Sequence, residues 1–320
     1  MASTVPTISL VIPTYNRGDL IGETIDSALA QTAPFLEIIV VDDGSRDNTA
    51  SVLASFGARI STITVPNGGV QRARNTGVAA ARGDYIVLCD SDDLLDPAYL
   101  ATMQDWLQQQ PGCHCVYSNF ATFDERGVHA NKLDSAPADF FAGATRSGAF
   151  WQAVPGLYAR LLAYQPLFPS GSLFRRTAYA DVGGYDPRFN GVGGEDLEFT
   201  LRVAGRMDVA ICTTPLVRVR KHGGNDSTDN VRQEYGCVQI LEFAMQHHAG
   251  APLYREAIRA SIEARRREIF DGAFAQGNFA IALETLSKLR PRPPGAKFAV
   301  KAAITRLPRL LRQPLWRLTQ

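Results

Sequence analysis

The sequence predicts an α/β fold: a mostly parallel, Rossmann-like sheet flanked by helices, followed by a helical C-terminal extension. Three observations carry this. Short apolar runs alternate with helical-period segments over the first 120 residues. Turn-forming polar clusters follow several of those runs directly. Beyond about residue 231 the strand-like runs stop and apolar residues recur at helical spacing. Alternating strands and helices require right-handed crossovers, and so a largely parallel sheet.

The elements follow in order. "ISLVI" (8–12) reads as a strand closed by Pro13, and Leu20, Ile21, Ile25, Ala28 and Leu29 then recur at helical spacing. "LEIIVV" (36–41) reads as a buried strand ending in "DDGSRDNT", and "RISTITV" (59–65) as the next, followed by "PNGG" and the helix "VQRARNTGVAAA". "DYIVLC" (84–89) leads into the aspartate run "DSDDLLDP", a helix opens near Pro97, and "HCVYSN" (114–119) is a further strand. Residues 120–170 read as an irregular insertion carrying Trp151, Tyr158 and Tyr164, residues suited to sugar stacking but more often found in cores. "EDLEFTLRVA" has helical character, and "DVAICTTPLVRVRKHGGNDST" reads as strands ending in a polar loop. In 231–290, Ile240, Leu241, Ala244, Ile281, Leu283 and Leu286 are the expected apolar positions. The expected division is 1–225 as one domain, with halves 1–119 and 120–225, and 226–320 as the extension.

Composition narrows the function. The 320 residues are 45% apolar and 20% charged, as in a water-soluble globular protein, and no apolar run is long enough for a membrane span. "MASTVPTISLVIP" lacks the pattern of a secretory signal, so a cytoplasmic location is expected. Cys89, Cys113, Cys115, Cys212 and Cys237 show neither disulfide-framework nor zinc-site spacing and are expected to be reduced. Of the 33 Lys/Arg, nine fall in 288–320, which holds no Asp/Glu; the other 24 face all 32 acidic residues, a balance of −8. A basic, proline-punctuated tail with Phe298, Val300, Ile304, Leu307, Leu310, Leu311, Leu315 and Trp316 suits an anionic membrane surface, the inner face of the plasma membrane in this setting. The alternative is a helix packed on the body and broken at Pro308 and Pro314.

Ligands of such sheets bind beyond the carboxyl ends of the strands. "PTYNR", "DDGS", "PNGG" and "DSDD" are expected to converge there. Four aspartates in seven residues, Asp90, Asp92, Asp93 and Asp96, repel one another unless something cationic sits among them. Asp90 and Asp92 suit a hard divalent cation, Mn²⁺ or Mg²⁺, which takes oxygen ligands and leaves positions for water and phosphate. Asp96 and in part Asp93 fit the plainer role of helix capping. Asp42 and Asp43 stand at a neighbouring strand end, where a carboxylate suits accepting hydrogen bonds from a base or ribose. No dinucleotide-binding or Walker glycine pattern is present.

"SLVIPTYNRGDLIGETIDSALAQT", "IIVVDDGSRDNT", "NGGVQRARNTGVAAARGDYIVLCDSDDLLDP" and "GGEDLEFTLR" together resemble a family 2 glycosyltransferase of the GT-A fold, over roughly residues 7–225. The resemblance implies transfer of a sugar, with inversion, from a nucleotide diphosphate donor (UDP or dTDP) to an acceptor hydroxyl in bacterial cell-surface glycan or glycolipid synthesis. It implies a donor site of Pro13, Thr14, Tyr15, Asn16, Asp43, Arg74, Asn75, Asp90 and Ser91, with Asp43 on the base and Arg74 toward the phosphates. Asp92 becomes the more direct metal ligand, with Asp90 and His222 beside it, and Asp196 the general base with Glu195 as fallback. The acceptor implied is a glycan, a glycolipid or a lipid-linked sugar; no nucleic acid is expected. Two alternatives stand beside this reading: a sugar-nucleotide-forming nucleotidyltransferase, for which "PTYNRGDL" is a poor phosphate loop, and a nucleotide-sugar binder without turnover, which has no need of Asp196 as a base.

Overall fold

The computed structural model describes residues 5–221 and 230–319. The chain divides into two compact units: residues up to Asn190 together with the stretch from Phe199 through the strand Ala210–Arg220, and Gly191–Glu198 together with the C-terminal helices.

The first unit opens with β1 (Ile8–Thr14), α1 (Ile21–Leu29), β2 (Glu37–Asp42), α2 (Thr49–Ser55), β3 (Ser61–Thr64), α3 (Val70–Ala80) and β4 (Tyr85–Leu88). All seven residues of β1 and all four of β4 are buried, which is why these strands read as mainly apolar runs without alternation: helices cover both faces. In α1, Ile21, Thr24, Ile25 and Ala28 are buried at helical spacing. Strands β3, β2, β1 and β4 are parallel neighbours in that order.

The short β5 (Leu94–Leu95) and α4 (Tyr99–Gln109) precede β6 (Cys115–Asp124). The segment expected to be irregular instead holds β7 (Gly127–Asn131), β8 (Thr145–Ser147), β9 (Phe150–Gln152) and α5 (Leu157–Ala163). Its strands are three to five residues long, and β7 is almost wholly exposed, so no apolar alternation marks them. Then come β10 (Ser172–Arg175), α6 (Arg176–Val182), α7 (Glu195–Ala204) and β11 (Ala210–Arg220). β10 runs antiparallel between β4 and β6, while β11 is parallel to β6 and takes β9 and β5 antiparallel. The result is a mixed, mostly parallel sheet of eleven strands among the described residues. The unit boundary falls inside α7.

The insertion aromatics are largely internal. Tyr158 is buried, and Trp151 stacks on Phe141 with centroids 5.1 Å apart. The Tyr164 hydroxyl is bound by Lys132 O and Ser135 Oγ.

The second unit is built on α8 (Asn230–His247), α9 (Ala251–Ala275), α10 (Phe279–Lys288), α11 (Ala296–Arg306) and α12 (Arg309–Arg317). Ile240, Leu241, Ala244 and Leu286 are buried as expected, whereas Leu283 is exposed because Ala282, Thr285 and Leu286 form the inward stripe of α10. Arg265 pairs with Glu234 at 2.5 Å and Arg266 with Glu242 at 2.6 Å, linking α9 to α8. No helix among the described residues is long and apolar enough to cross a membrane.

Gly77 lets α3 lie close on the sheet: a Cβ there would press into Val11 Cγ1 and come within 3.1 Å of Val41 Cγ2. Gly77→Ala is therefore expected to destabilise the protein by about 1–3 kcal/mol through overpacking, read as a lower urea midpoint at unchanged m-value.

Candidate active site

The site starts at the carboxyl ends of β1 and β2. Thr14 stands in register with Asp42, and Asp43 N–H donates to Thr14 O at 2.9 Å. The two loops beyond are laced together. Asn16 N–H donates to Ser45 Oγ (2.9 Å), Arg46 N–H to Asn16 Oδ1 (2.8 Å) and Arg17 N–H to Thr49 Oγ1 (3.0 Å). Asn16 takes a left-handed backbone (φ 50°), a conformation asparagine tolerates better than most residues. Pro13 and Thr14 are buried, and Tyr15 is exposed. Asp43 is also buried: its Oδ1 accepts from Gly68 N–H (2.8 Å) and its Oδ2 from Gly69 N–H (2.7 Å), fixing the entry to α3.

At the end of β4, Arg74 Nη2 lies 2.6 Å from Asp90 Oδ1, with its guanidinium 4.7 Å from the Tyr185 ring centroid. Arg17 Nε is 3.8 Å from Asp92 Oδ2. Ser91, between the two aspartates, is buried. Asn75 takes a different direction. Its Oδ1 accepts from Tyr179 OH (2.8 Å) and Tyr185 N–H (3.0 Å), and its Nδ2 donates to Tyr185 O (2.7 Å). Arg74 is thus the member of that pair that reaches the aspartates.

Asp93 is the residue whose role the sequence hid. It is buried, accepting from Ser170 Oγ at 2.5 Å and from Arg220 N–H at 3.0 Å, while Ser170 Oγ in turn accepts Asp90 N–H at 2.9 Å. Burial pushes its carboxyl well above the usual range, and the charges of Asp92 and Asp90 add to the shift. Arg220 closes the loop from the other side, donating through Nε to Asp92 O (3.0 Å) and through Nη2 to Glu23 (2.6 Å). Asp96 does not cap α4, whose N-cap is Ala98 without a side-chain bond; it accepts from Ala98 N–H at 3.0 Å in the turn before the helix.

Two further polar groups near these strand ends stand open, one on Thr14 of the expected donor site and one on Gln71, which the sequence did not single out. The Thr14 hydroxyl and both amide atoms of Gln71, in the first turn of α3, are buried with no hydrogen-bond partner among the described residues. Buried polar atoms left open in this way fit a polar ligand that completes them.

Glu195 and Asp196 lie in the second unit, in the first turn of α7. The preceding turn uses left-handed glycines: Gly191 (φ 68°), Gly193 (φ 94°) and Gly194 (φ 72°). It rests against the backbone of α8 at Gly236, where a Cβ would collide with Gly193 O and Val192 O. Glu198 and His248 form a buried pair (3.2 Å) that fastens the same turn of α7. Cys237 is pushed up to about 11, chiefly by burial, with the charges of Glu195 and Asp196 among the lesser contributions. His222 lies outside the described residues.

Asp90 and Asp92 are hard oxygen donors, and such a pair fits a Mn²⁺ or Mg²⁺ ion that completes its shell with water and phosphate. Among the described residues no cluster of three or more His, Cys, Asp or Glu is assembled as a metal cage. All five cysteines are free.

The family model described as "Glycosyl transferase family 2" matches residues 9–180, just over half of the chain. The chain belongs to glycosyl transferase family 2. Relatives in this family include the uncharacterized glycosyltransferase EpsJ of Bacillus subtilis, 40% identical over 142 residues (42% of this chain, 41% of that one). A chondroitin synthase of Escherichia coli is 37% identical over 126 residues, 38% of this chain and 18% of its own length. These matches thus span about two fifths or less of the curated relatives. Among solved structures, S. aureus TarS 1-349 in complex with UDP-GlcNAc aligns with a TM-score of 0.62 at 16% identity, covering 97% of this chain and 89% of that one. The mannosyltransferase PcManGT of Pyrobaculum calidifontis, in complex with GDP-Man and Mn²⁺, aligns at 0.58 and 19% identity, covering 98% and 84%. At such identity the likeness shows the fold, which is the GT-A fold that the family motifs imply.

Asp93→Ala would leave the Arg220 N–H and the Ser170 hydroxyl without their acceptor in a buried setting, at a cost of about 1–3 kcal/mol. Asp93→Asn keeps an acceptor for Arg220 and is expected to lose less than half of that. Urea unfolding of the two variants beside the parent protein checks both values.

Proposed function

We propose that this family 2 protein is a metal-dependent inverting glycosyltransferase. It would move a sugar from a UDP- or dTDP-sugar to an acceptor hydroxyl on a glycan, a glycolipid or a lipid-linked sugar, in bacterial cell-surface polysaccharide synthesis. The carrying observation is the aspartate loop at the end of β4, where Asp90 and Asp92 are set beside Arg74 (2.6 Å) and Arg17 (3.8 Å). That mixture of carboxylate and guanidinium suits a diphosphate together with a divalent cation.

Pro13, Thr14, Tyr15, Asn16 and Asp43 would form the nucleoside side of the donor site, with the open Thr14 hydroxyl and Gln71 amide as further polar partners. Arg74, Asp90 and Ser91 would line the diphosphate side; Asn75 would contribute by fixing the turn of α3 that carries Arg74. Mn²⁺ or Mg²⁺, held by Asp92 and Asp90 with His222 as the further candidate, would neutralise charge growing on the leaving diphosphate. Asp196, or Glu195 in its place, would take the proton of the acceptor hydroxyl, and a single displacement gives inversion. A retaining double displacement would need a protein nucleophile as well. Residues 1–225 would be the catalytic part, its halves 1–119 for donor and 120–225 for acceptor, and 226–320 an extension that brings the enzyme to the cytoplasmic face of an anionic membrane. UDP complexes of TarS and the GDP-Man and Mn²⁺ complex of PcManGT support a nucleotide-sugar donor and a metal.

Asp196→Asn is expected to lower transfer by about 10²–10⁴-fold while nucleotide binding is kept, since the base acts on the acceptor. Unchanged turnover would remove Asp196 from the mechanism. Donor binding is read by melting temperature against UDP, dTDP and GDP with and without Mn²⁺. A ligand at about 100 times its Kd adds roughly 2.7 kcal/mol, and the shift is expected only with metal present. A folded sample that responds to no nucleotide would overturn the proposal.

A further inference from the structure

The helix α12 is amphipathic with its sides reversed. Its body-facing side is polar and aromatic: Trp316 Nε1 donates to Phe274 O at 2.7 Å, and the Trp316 ring meets Phe279 with centroids 5.8 Å apart. Arg312 places its guanidinium 4.2 Å from the Phe279 ring centroid. At 100° per residue, Leu310, Leu311, Pro314, Leu315 and Leu318 fall within an arc of about 140° on the opposite side. Those leucines are exposed, at 88%, 58%, 42% and 83% for Leu310, Leu311, Leu315 and Leu318. Arg317 is exposed at the edge of that arc, and Arg306 and Arg309 are exposed before and at the start of the helix, in a stretch with no acidic residue.

We infer that this outward leucine face is the membrane-contacting surface of the protein, taking an anionic lipid bilayer with the leucines at the acyl boundary and the arginines among the headgroups. The inference rests on the membrane-proximal part of the reading above and names the residues that carry it. Charge complementarity selects the bilayer: an apolar strip edged by Arg317 and preceded in the chain by exposed Arg306 and Arg309, with no acidic residue in the stretch, suits an anionic lipid interface. Size argues against a second protein chain. The leucine strip offers on the order of 500 Å², short of the ~800 Å² that each partner gives to a stable interface. Trp316 and Arg312 hold the helix from behind, so the leucines face outward without the helix having to unfold or turn over.

The test is co-sedimentation of the full chain with sucrose-loaded vesicles, one set of phosphatidylcholine alone and one with about 30% phosphatidylglycerol. The parent protein is expected to pellet with the anionic vesicles and not with the neutral ones. Leu310→Ser combined with Leu318→Ser, at two exposed positions, is expected to weaken that binding about tenfold or more. Leu253→Ser, at an equally exposed leucine of α9, is expected to leave it unchanged. The inference is overturned if the parent protein ignores anionic vesicles, or if the double variant binds them as well as the parent. It is also overturned if sedimentation velocity without lipid shows a dimer that the double variant abolishes, which would assign the face to a second copy. Nucleotide-dependent melting shifts on the same samples separate the two readings. A protein that binds vesicles but responds to no nucleotide overturns the transferase reading alone; one that responds to nucleotide but not to vesicles overturns the docking face alone.

Discussion

The buried carboxyl of Asp93 joins chain segments that lie far apart in sequence. Ser170 is 77 residues away and Arg220 is 127, yet both bond to it, and Ser170 passes the constraint to the backbone of Asp90. The charge problem of the aspartate run is solved around this anchor. Two unit charges about 4 Å apart at a partly wet protein site repel by roughly 4 kcal/mol, so three ionised neighbours would strain the loop. Asp90 has Arg74, Asp92 has Arg17 nearby, and Asp93 is drawn by burial toward its protonated form. The loop thereby carries two half-buried carboxylates, Asp90 and Asp92, each beside a guanidinium, with Asp93 bound inside.

This anchor was invisible in the sequence for a plain reason. A local reading of "DSDD" offers Asp93 only its near neighbours, and helix capping is the nearest job. Arg220, which carries the other end of this anchor, also donates to Asp92 O and Glu23, contacts that no local reading of the sequence could supply. The α/β alternation was legible because β1 and β4 are buried on both faces and so appear as apolar runs. Strands β7, β8 and β9 carry no such mark, being three to five residues long and, in β7 and β8, mostly exposed, so the insertion looked irregular.

Arg74 and Asn75 show how far a motif can be read. Adjacent residues on a helix point about 100° apart, so both cannot meet one ligand in the same way. Arg74 goes to Asp90, and Asn75 spends both amide atoms on Tyr179 and Tyr185. The motif names a turn of helix; the side-chain direction divides the labour between contact and support. The glycine turn before Asp196 follows the same logic in the second unit. Gly193 and Gly194 supply left-handed backbone and Gly236 supplies room, so a residue on α8 sets how the start of α7 is held.

The C-terminal helices carry this separation of folding from display furthest. A nine-residue helix is too short to persist on its own in water, and a usual surface helix would gain stability by burying its leucines. In α12 the stabilising contacts come from the other side. The Trp316 indole closes on Phe274 O, and Arg312 lies over Phe279, beside the small apolar cluster of Phe274, Phe279 and Ile304. Four leucines therefore play little part in holding the helix to its unit. Exposed apolar side chains that do not hold a structure together raise the cost of leaving them in water without lowering the cost of folding. The proposed docking on lipid removes that imbalance, and the exposed Arg306, Arg309 and Arg317 of the same stretch suit an anionic surface.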